Sequence, residues 1–240
     1  MIYGIVLAGG LGKRMKSHLP KPCLPVNGRP MIQSVINNLE TLCDKIFIVF
    51  GQKGDLLKQH VLNHEKYIWC HQDPQLGTGH ALQIAFNHIL KHKNPNHILV
   101  CNGDAPFIKQ ETLKNLITDA DATLLGCEVK NPFGYGRLIK NPNFEKIVEE
   151  KDCNDEERKI NEVNAGAYSF KFDVLKEYIF KLNDNNAQKE FYLTDLFGMI
   201  SNVNVYTIND ELEIFNINNP EQLQEARQIT LDNLTGKYSK

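Results

Sequence analysis

Short apolar runs alternate with amphipathic stretches through the first half of the 240-residue chain. The apolar runs are bounded by turn residues and predict buried strands over residues 3–8, 45–51, 67–72, 97–104 and 122–129. Between them, apolar residues recur near i, i+3, i+4 and i+7, which predicts helices over residues 31–43, 54–63, 79–92 and 109–120. Strands that alternate with helices are typical of βαβ units. We therefore expect an α/β fold: a Rossmann-like, mostly parallel sheet with helices on both faces.

The pattern changes from about residue 128. Three short runs there predict strands with brief connections, at residues 134–140, 146–150 and 162–170. They indicate a small antiparallel insertion over about residues 128–170. The remaining segments predict two helices, a last strand and a closing helix, at residues 172–182, 191–201, 203–208 and 219–234. Because no repeat or long linker interrupts the chain, we expect residues 1–240 to form a single domain.

Composition narrows the class of protein. The chain has 27 basic and 29 acidic residues, a net charge of −2, which argues against a protein that coats nucleic acid. Its six cysteines are widely spaced without a C-x-x-C pair, and several lie in apolar runs, so they predict buried thiols in a reducing compartment. We find no signal-peptide pattern and no apolar run of the ~18 residues that a membrane span needs. The expectation is a cytoplasmic protein with no membrane partner.

The first predicted strand ends in the glycine turn Gly9-Gly10-Leu11-Gly12. The dinucleotide-binding pattern fails here because Met15 occupies its third glycine position, and the P-loop pattern fails because Leu7 stands at its first glycine. Glycines at a strand end still let the backbone approach an anion closely, and the cations Arg14 and Lys21 follow on the same loop. The turn therefore indicates a phosphate-binding loop, although solvated cations beside an ordinary turn are the alternative.

Three further segments carry candidate chemistry. Asp104 follows the fourth predicted strand and suits Mg²⁺, which prefers oxygen ligands, although a turn-forming role is the alternative. Gln72 and Gly77-Thr78-Gly79 separate a strand from a helix. They could pair with the edge of a base, or form a plain helix entry with Thr78 as N-cap. Residues 131–137 contain two glycines and fit either a hairpin turn or a loop that closes over a sugar.

Taken in order, these segments resemble the sugar-nucleotide pyrophosphorylases, a family of nucleotidyltransferases. The resemblance is greatest to the uridylyltransferase domain of the bacterial bifunctional N-acetylglucosamine-1-phosphate uridylyltransferase/acetyltransferases. It rests on LAGGLGKRM with the PK that follows it, QLGTGHAL, NGDAPFI, NPFGYGRLI, IVEEKD, EVNAGAY and NAQKEFYLTD. It runs from residue 5 to about residue 197, with a fainter match in NINNPEQL. The acetyltransferase domain of those enzymes has no counterpart in these 240 residues.

The resemblance implies a Mg²⁺-dependent transfer of a uridylyl group from UTP to N-acetylglucosamine 1-phosphate, giving UDP-N-acetylglucosamine and pyrophosphate. It implies that Arg14 and Lys21 are catalytic, acting on the triphosphate, and that Asp104 and Asn218 bind Mg²⁺. The nucleotide contacts it implies are Leu7, Ala8, Gly9, Gly10, Gln72, Gly77 and Thr78. The sugar contacts it implies are Gly136, Glu149 and Asn164, which makes residues 128–170 a sugar-binding insertion. Residues 186–195 match a helix that flanks the sugar pocket.

Two other interpretations stay open on the sequence. The substrates could be another pair, such as glucose 1-phosphate and dTTP. The protein could also be a catalytically silent, regulatory relative of these enzymes, although such proteins typically lose the basic or metal-binding residues that are present here. UTP and a sugar 1-phosphate are the expected partners, nucleic acid is not, and the sequence does not indicate the oligomeric state.

Overall fold

The computed structural model of the protein describes residues 1–10 and 12–234. The strands of the described chain are β1 (Ile2–Ala8), β2 (Pro25–Val26), β3 (Arg29–Pro30), β4 (Lys45–Phe50), β5 (Tyr67–His71), β6 (His97–Asn102), β7 (Ala122–Glu128), β8 (Arg137–Lys140), β9 (Phe144–Val148), β10 (Glu162–Lys171) and β11 (Val203–Ile208). The α-helices are α1 (Met31–Glu40), α2 (Gly54–His60), α3 (Thr78–Ile89), α4 (Gln110–Asn115), α5 (Phe172–Tyr178) and α6 (Pro220–Leu234).

One large sheet organises the molecule, in the strand order β11-β7-β10-β6-β1-β4-β5. Strands β6, β1, β4 and β5 are parallel, and β11 is parallel to β7. Strand β10 runs antiparallel to both of its neighbours, β6 and β7. The hairpin β8–β9 is attached to β10, and β2 pairs with β3 in a separate two-stranded sheet. The predicted fold class, a mostly parallel α/β sheet with a small antiparallel part, is confirmed.

Helices cover both faces of this sheet because its strands bury both of their sides. In β4, Ile46 and Ile48 pack with the helix α1, whereas the alternating Phe47 and Val49 pack with α3 on the opposite face. Helix α1 presents Ile32, Val35, Ile36 and Leu39 as one fully buried stripe, at the spacing that the sequence showed. Burying each such side chain contributes roughly 1.5–3 kcal/mol, so the amphipathic pattern is sufficient to fix which side of each helix faces the sheet.

Strand β10 departs from the predicted insertion. The sequence pattern placed residues 162–170 with the antiparallel segment, but β10 is inserted into the middle of the large sheet. Its residues are almost continuously buried from Val163 to Phe170, which a small hairpin at the surface cannot achieve. Of the three strands predicted for the insertion, β8 and β9 lie outside the main strand order of the large sheet.

The structure corrects two of the predicted helices and confirms the prediction made for the cysteines. Residues 191–201 do not form the predicted α-helix, since Leu193–Gly198 is a 3₁₀ segment. The predicted helix over residues 172–182 divides into α5 and a 3₁₀ turn, Ile179–Lys181. All six cysteines are free and buried, as predicted. Across the part of the chain that the structure describes, no helix is both long enough and apolar enough for a membrane crossing.

The fold places two strand ends next to one another. The β1 and β6 ends meet where the Gly103 N–H donates a hydrogen bond of 2.9 Å to the Leu7 carbonyl. The chain leaves β1 for β4 on one side and enters β6 on the other, so this edge is a topological switch point. In open α/β sheets, ligands bind in the crevice outside the strand ends at such a point. The glycine turn and Asp104 both lie there.

Candidate active site

The glycine turn leads into an extended loop rather than a helix. Two short 3₁₀ turns, Lys13–Met15 and Lys21–Cys23, carry Arg14 and Lys21. Gly12 has φ +57°, and a Cβ atom there would lie 2.9 Å from the Cβ of Lys21. Glycine at this position therefore allows the two ends of the loop to pack together, which neither the dinucleotide pattern nor the P-loop pattern requires.

The loop is held in place by a small apolar cluster. Met15 and Met31 pack with Leu223 and Ala226 of α6, and with Ile217 from the segment that precedes this helix. The closing helix thus directly supports the loop that carries Arg14 and Lys21. This packing also brings Asn218 next to Lys21, although 197 positions separate them in the chain.

Lys21 joins the two residues that the resemblance assigns to Mg²⁺. Its ammonium group forms an ion pair with Asp104 and donates a hydrogen bond of 2.9 Å to the Asn218 side-chain oxygen. The Asp104 carboxylate and the Asn218 amide oxygen therefore both contact the Lys21 ammonium group, near the C-terminal end of β6. Mg²⁺ prefers such oxygen donors and takes only one or two of them from protein where substrate phosphates and water complete its shell. The donor set fits a divalent cation.

A pocket of about 480 Å³, here called the larger pocket, opens above the glycine turn. Arg14 lies exposed on its wall and forms no hydrogen bond or ion pair with any residue that the structure describes. A Cβ atom on Gly10 would meet nothing within 4 Å, so the backbone here faces open space. The pocket wall combines free backbone, an unengaged guanidinium and the Lys21 ammonium, which together suit a polyphosphate.

Gln72 also lines the larger pocket, beside the glycine turn. Its side chain is 4% exposed and donates hydrogen bonds from Nε2 to the Gly77 carbonyl at 3.0 Å and towards His80 Nδ1 at 3.3 Å. A Cβ atom on Gly9 would lie 2.7 Å from Gln72 Oε1, so glycine at position 9 leaves room for this amide. Gln72 therefore ties the Gly77 turn to the glycine turn, and both line the pocket.

The start of α3 is anchored by a distant loop. Gly77 is the N-cap of this helix, not Thr78 as one interpretation of the sequence had it. The Thr78 hydroxyl instead accepts a hydrogen bond of 3.1 Å from the Leu193 N–H, and the Gly79 N–H donates to the Phe191 carbonyl at 2.7 Å. A Cβ atom on Gly77, which has φ +108°, would lie 2.6 Å from that same carbonyl. The 190–193 loop and the helix start thus depend on glycine for their close approach.

A second pocket of about 180 Å³, here called the smaller pocket, adjoins the first and shares Leu7, Thr78 and Asn102 with it. Gly136 faces Glu149 across it, since a Cβ atom on Gly136 would lie 3.5 Å from Glu149 Oε2. Asn164 lies on β10, and the register of pairing between β10 and β7 shifts after this residue. Its side chain donates to the Tyr168 hydroxyl at 2.8 Å and accepts from the Gly166 N–H at 3.2 Å. These polar groups suit a ligand with several hydroxyls.

Burial perturbs the carboxyl group of the smaller pocket. Burial raises the pKa of Glu149, and the charges of Asp195 and Asp152 raise it further, while a hydrogen bond of 2.8 Å from the Thr194 hydroxyl opposes the shift. Burial also raises the pKa of Asp195, with a contribution from Asp152. Carboxyl groups with perturbed pKa values in a cleft are typical of functional sites.

An ion pair holds the loop that borders the smaller pocket. Arg137, 1% exposed, donates a 2.7 Å hydrogen bond to Glu150 and another to the Tyr135 carbonyl, while the Gly134 N–H donates to Glu150 at 2.9 Å. Burial alone would raise the pKa of Glu150, but the Gly134 N–H and the Arg137 guanidinium lower it below its ordinary value. Arg137 and Glu150 therefore fix Gly134 and Tyr135 by hydrogen bonds to their backbone.

The structure brings the sequence-predicted site residues together in these two pockets. The larger pocket contains Leu7, Ala8, Gly9, Gly10, Arg14, Lys21, Gln72, Gly77, Thr78, Asp104 and Asn218. The smaller pocket contains Gly136, Glu149 and Asn164, together with Leu7 and Thr78. Residues 186–195, predicted as a flanking helix, include no α-helix and bridge the pockets through the contacts of Phe191, Leu193 and Thr194.

Sequence reasoning missed several lining residues. Asn102 lies between the two pockets, and Tyr135, Thr194 and Asn216 line the smaller one. Asn102, Tyr135 and Thr194 fall inside motifs that were singled out, yet nothing local distinguishes them from their neighbours. Asn216 begins the fainter match NINNPEQL, two positions before the predicted ligand Asn218, and that motif was the available signal.

Comparisons with known proteins agree with this geometry. The sequence profile of the MobA-like NTP transferase domain matches residues 4–134. Three bacterial proteins named bifunctional protein GlmU are similar over most of the chain: 41% identical in Pseudoalteromonas atlantica, 38% in Fervidobacterium nodosum and 39% in Streptococcus agalactiae. The matches cover 91%, 97% and 95% of this chain but 49%, 51% and 51% of those proteins. They confirm the resemblance that the seven motifs indicated, and the chain spans about half the length of these relatives.

A solved structure shares the fold. It is a crystal structure of a Bacillus anthracis protein assigned as a glucose-1-phosphate thymidylyltransferase, in complex with sucrose. It superposes with a TM-score of 0.74 and covers 97% of this chain and 96% of its own, at 22% sequence identity. At this identity the likeness concerns the fold alone.

Proposed function

The chain belongs to the MobA-like NTP transferase family, and from this premise we propose that it transfers a uridylyl group from UTP to N-acetylglucosamine 1-phosphate and releases pyrophosphate. The observation that carries the proposal is the junction of two pockets that share Leu7, Thr78 and Asn102. One pocket offers cations and free backbone to a triphosphate, and the other offers polar groups to a sugar. Their junction is where the two phosphate groups would meet.

The larger pocket accounts for nucleotide binding. The glycine turn, Arg14 and Lys21 would address the triphosphate, and Gln72 with the Gly77 turn would address the base. The smaller pocket would hold the sugar through Gly136, Glu149 and Asn164. UTP and N-acetylglucosamine 1-phosphate are proposed because the motifs in these walls are those of the uridylyltransferase domains that the chain resembles.

The reaction makes few chemical demands on the protein. A sugar phosphate has a second pKa of about 6 and is largely dianionic at pH 7, so its attacking oxygen needs no general base. The protein must align this oxygen with the α-phosphorus of the nucleotide and stabilise the charge on the departing pyrophosphate. In this proposal Arg14 and Lys21 would stabilise the charge on the pyrophosphate, and binding at the junction of the two pockets would align the reacting atoms.

Mg²⁺ is the cofactor that this proposal includes. Asp104 and Asn218 would hold it, because their oxygens converge on one positive charge beside the larger pocket. When bound, the ion would neutralise phosphate charge and orient the triphosphate. Lys21 already lies between the two ligands, so we expect its ammonium group to contact phosphate oxygens when substrates and metal are present.

A substrate panel tests the proposal. The protein is incubated with Mg²⁺ and with each pairing of UTP or dTTP with N-acetylglucosamine 1-phosphate or glucose 1-phosphate, and pyrophosphate release is measured. We expect the UTP and N-acetylglucosamine 1-phosphate pair to give the highest kcat/KM. A higher value for another pair would replace the substrates but keep the reaction. No release with any pair would reject the reaction and favour a silent regulatory relative.

The Asp104→Ala variant tests the metal-binding assignment. We expect loss of Mg²⁺-dependent turnover with retained fold, because the substitution removes the one carboxylate of the donor set. The control is Asp155→Ala, whose carboxylate is exposed at the surface away from both pockets. Turnover is measured over a Mg²⁺ titration, and circular dichroism checks the fold. Substantial residual activity that still depends on Mg²⁺ would remove Asp104 from the metal site.

A further inference from the structure

We propose that Asn216 is a specificity-determining residue, whose side-chain amide oxygen accepts a hydrogen bond from a hydroxyl or N–H group of the sugar. This inference rests on the proposed function, because it assigns the smaller pocket to a sugar 1-phosphate. It assigns a role to a residue that lies in the fainter match NINNPEQL but to which neither the motifs nor the resemblance gave a function.

The first observation is an unsatisfied acceptor. Among the residues that the structure describes, two buried side-chain polar atoms have no hydrogen-bond partner, Asn216 Oδ1 and Arg137 Nε. Arg137 has two other hydrogen bonds, to Glu150 and to the Tyr135 carbonyl, and does not line either pocket. Asn216 lines the smaller pocket. Because leaving a buried acceptor unpaired is unfavourable, such an atom at a pocket wall indicates a donor on the ligand.

The second observation is that the segment around Asn216 is firmly anchored. The Ile217 N–H donates a 3.1 Å hydrogen bond to the Asp104 carbonyl, and the Ile217 side chain is fully buried. On the next residue, the Asn218 N–H donates to Gln222 Oε1 at 2.7 Å. The unpaired oxygen is therefore carried by an anchored backbone, which limits the reorganisation that ligand binding requires.

The third observation concerns the other polar groups of the smaller pocket. The Asn164 side-chain amide donates to the Tyr168 hydroxyl and accepts from the Gly166 N–H, so both of its ends are paired. Glu149 Oε1 accepts a hydrogen bond from the Thr194 hydroxyl. The second oxygen of Glu149 and the unpaired oxygen of Asn216 remain as acceptors. Two acceptors in one pocket select for donors at two positions of the ligand, which matches a hydroxyl-bearing ring and disfavours a second anionic group.

The positions of Asn216 and Asn218 link sugar selection to phosphate chemistry. They flank Ile217, and they line the smaller and the larger pocket respectively. One short segment thus contributes the proposed sugar contact and the proposed metal ligand. A sugar that satisfies Asn216 is thereby placed against the same backbone that carries Asn218, beside Lys21.

The experiment compares the wild-type protein with Asn216→Ala on the best sugar 1-phosphate of the panel. It uses analogues of that sugar in which one hydroxyl at a time is replaced by fluorine, or an N–H group by oxygen, neither of which can donate a hydrogen bond. In the wild type, we expect two analogues to lose about tenfold or more in kcat/KM, one for each acceptor of the smaller pocket, since each loses one hydrogen bond. In Asn216→Ala, kcat/KM for the parent sugar should fall by a similar factor, and the penalty should disappear for one of these two analogues and remain for the other. An Asn216→Ala variant that keeps the wild-type pattern of penalties would overturn the inference.

Thermal unfolding separates this role from a structural one. Because Asn216 Oδ1 has no partner among the described residues, Asn216→Ala should melt no lower than the wild type, while its melting temperature should rise less on addition of the sugar 1-phosphate. A lower melting temperature with unchanged sugar response would show that Asn216 is structural. Asn219→Ala is the matched control, because its side chain accepts a 2.8 Å bond from the Gln222 N–H and lines neither pocket. It should lower the melting temperature and leave the analogue penalties unchanged.

The test also separates this inference from the proposed function. If the wild type releases pyrophosphate with no pair, the reaction is rejected, and calorimetric titration with the sugar 1-phosphates alone then tests Asn216. Binding that weakens in Asn216→Ala would support the inference without the reaction. Absence of binding by every sugar 1-phosphate would overturn it.

Discussion

Lys21 connects the two predicted metal ligands, because its ammonium group contacts both Asp104 and Asn218. Arg14 has the same charge, but its side chain is exposed and forms no hydrogen bond or ion pair with the described residues. Lys21 therefore has contacts within the folded structure that Arg14 lacks, although the proposed function gives both cations a role in the reaction.

Substituting each cation gives a first prediction. Lys21→Ala and Arg14→Ala should both lower kcat by about 10²–10³ and change KM less, because both groups act on charge that develops in the transition state. Only Lys21→Ala should also lower the melting temperature, since it leaves Asp104 without its ion pair. Steady-state kinetics and thermal unfolding measure the two effects, with the exposed Lys114→Ala on α4 as the control. Weakened binding with unchanged kcat would contradict the assignment.

Glu149 gives a prediction about pH. Its pKa is raised in the folded protein, so between the ordinary glutamate value of about 4.3 and the raised value the folded state binds more protons than the unfolded state. The free energy of unfolding therefore falls as the pH rises through this window. Glu149→Gln removes the effect, so its melting temperature should exceed that of the wild type at pH 8 and approach it near pH 4.

The control for this pH dependence is Glu145→Gln, an exposed residue on β9. Its difference in melting temperature from the wild type should stay flat over the same range. A flat difference for Glu149→Gln as well would mean that burial does not perturb this carboxyl group. The Glu149→Gln variant should also raise KM for the sugar 1-phosphate, because the substitution removes a charged acceptor from the smaller pocket.

At the scale of elements, the start of α3 depends on backbone contacts that only glycine allows. The Gly77 and Gly79 backbones pack against residues 190 and 191, and Thr78 binds the Leu193 N–H. The motif QLGTG is thus a docking site for a loop more than a hundred residues away, as well as a wall of the larger pocket.

Two glycine variants test this docking. Gly77→Ala should lower the free energy of unfolding by about 2 kcal/mol or more, because alanine is strained at φ +108° and its Cβ would approach the Phe191 carbonyl at 2.6 Å. Gly10→Ala should keep wild-type stability, since its Cβ would meet nothing within 4 Å, but should raise KM for the nucleotide. Urea unfolding and kinetics distinguish the two. Equal stability losses would show that the Gly77 contacts are not tight.

At the scale of the whole molecule, the shared wall of Leu7, Thr78 and Asn102 makes the pockets one continuous cleft. The strand order produces this cleft, since β1 and β6 end side by side and β10 supplies Asn164 from the other side of β6. Helix α6 then returns to the glycine loop and places Asn218 beside Lys21.

This continuity predicts how ligands stabilise the protein. A nucleotide sugar fills both pockets and should bind more tightly than a sugar 1-phosphate, which fills one. At a concentration of 100 Kd, a ligand stabilises the folded state by about 2.7 kcal/mol, or about 5–10 °C in melting temperature for a chain of this size. UDP-N-acetylglucosamine should reach this shift at a lower concentration than N-acetylglucosamine 1-phosphate. The opposite order would indicate that the pockets are independent.

The sequence by itself determined the parallel core of the protein and the candidate chemistry on it. Periodicity alone located the strands β1, β4, β5, β6 and β7 and the helices between them, because a residue's burial in these units follows from its position in a short repeat. The sequence also predicted that the glycines after β1 and the aspartate after β6 lie near each other, because parallel strands place their carboxyl ends along one edge of the sheet. The buried thiols followed equally from their apolar neighbours.

Only the tertiary structure decided the features that depend on contacts between distant segments. The insertion of β10 between β6 and β7 is one, because a strand's neighbours in a sheet are not encoded in its own period. The 3₁₀ form of Leu193–Gly198 is another, since its loop is held by α3 and Glu149 rather than by local propensity. The convergence of Lys21, Asp104 and Asn218, and the unpaired Asn216 beside them, belong to the same class. Local pattern names the residues that carry chemistry, but packing across the sheet determines which of them face one another.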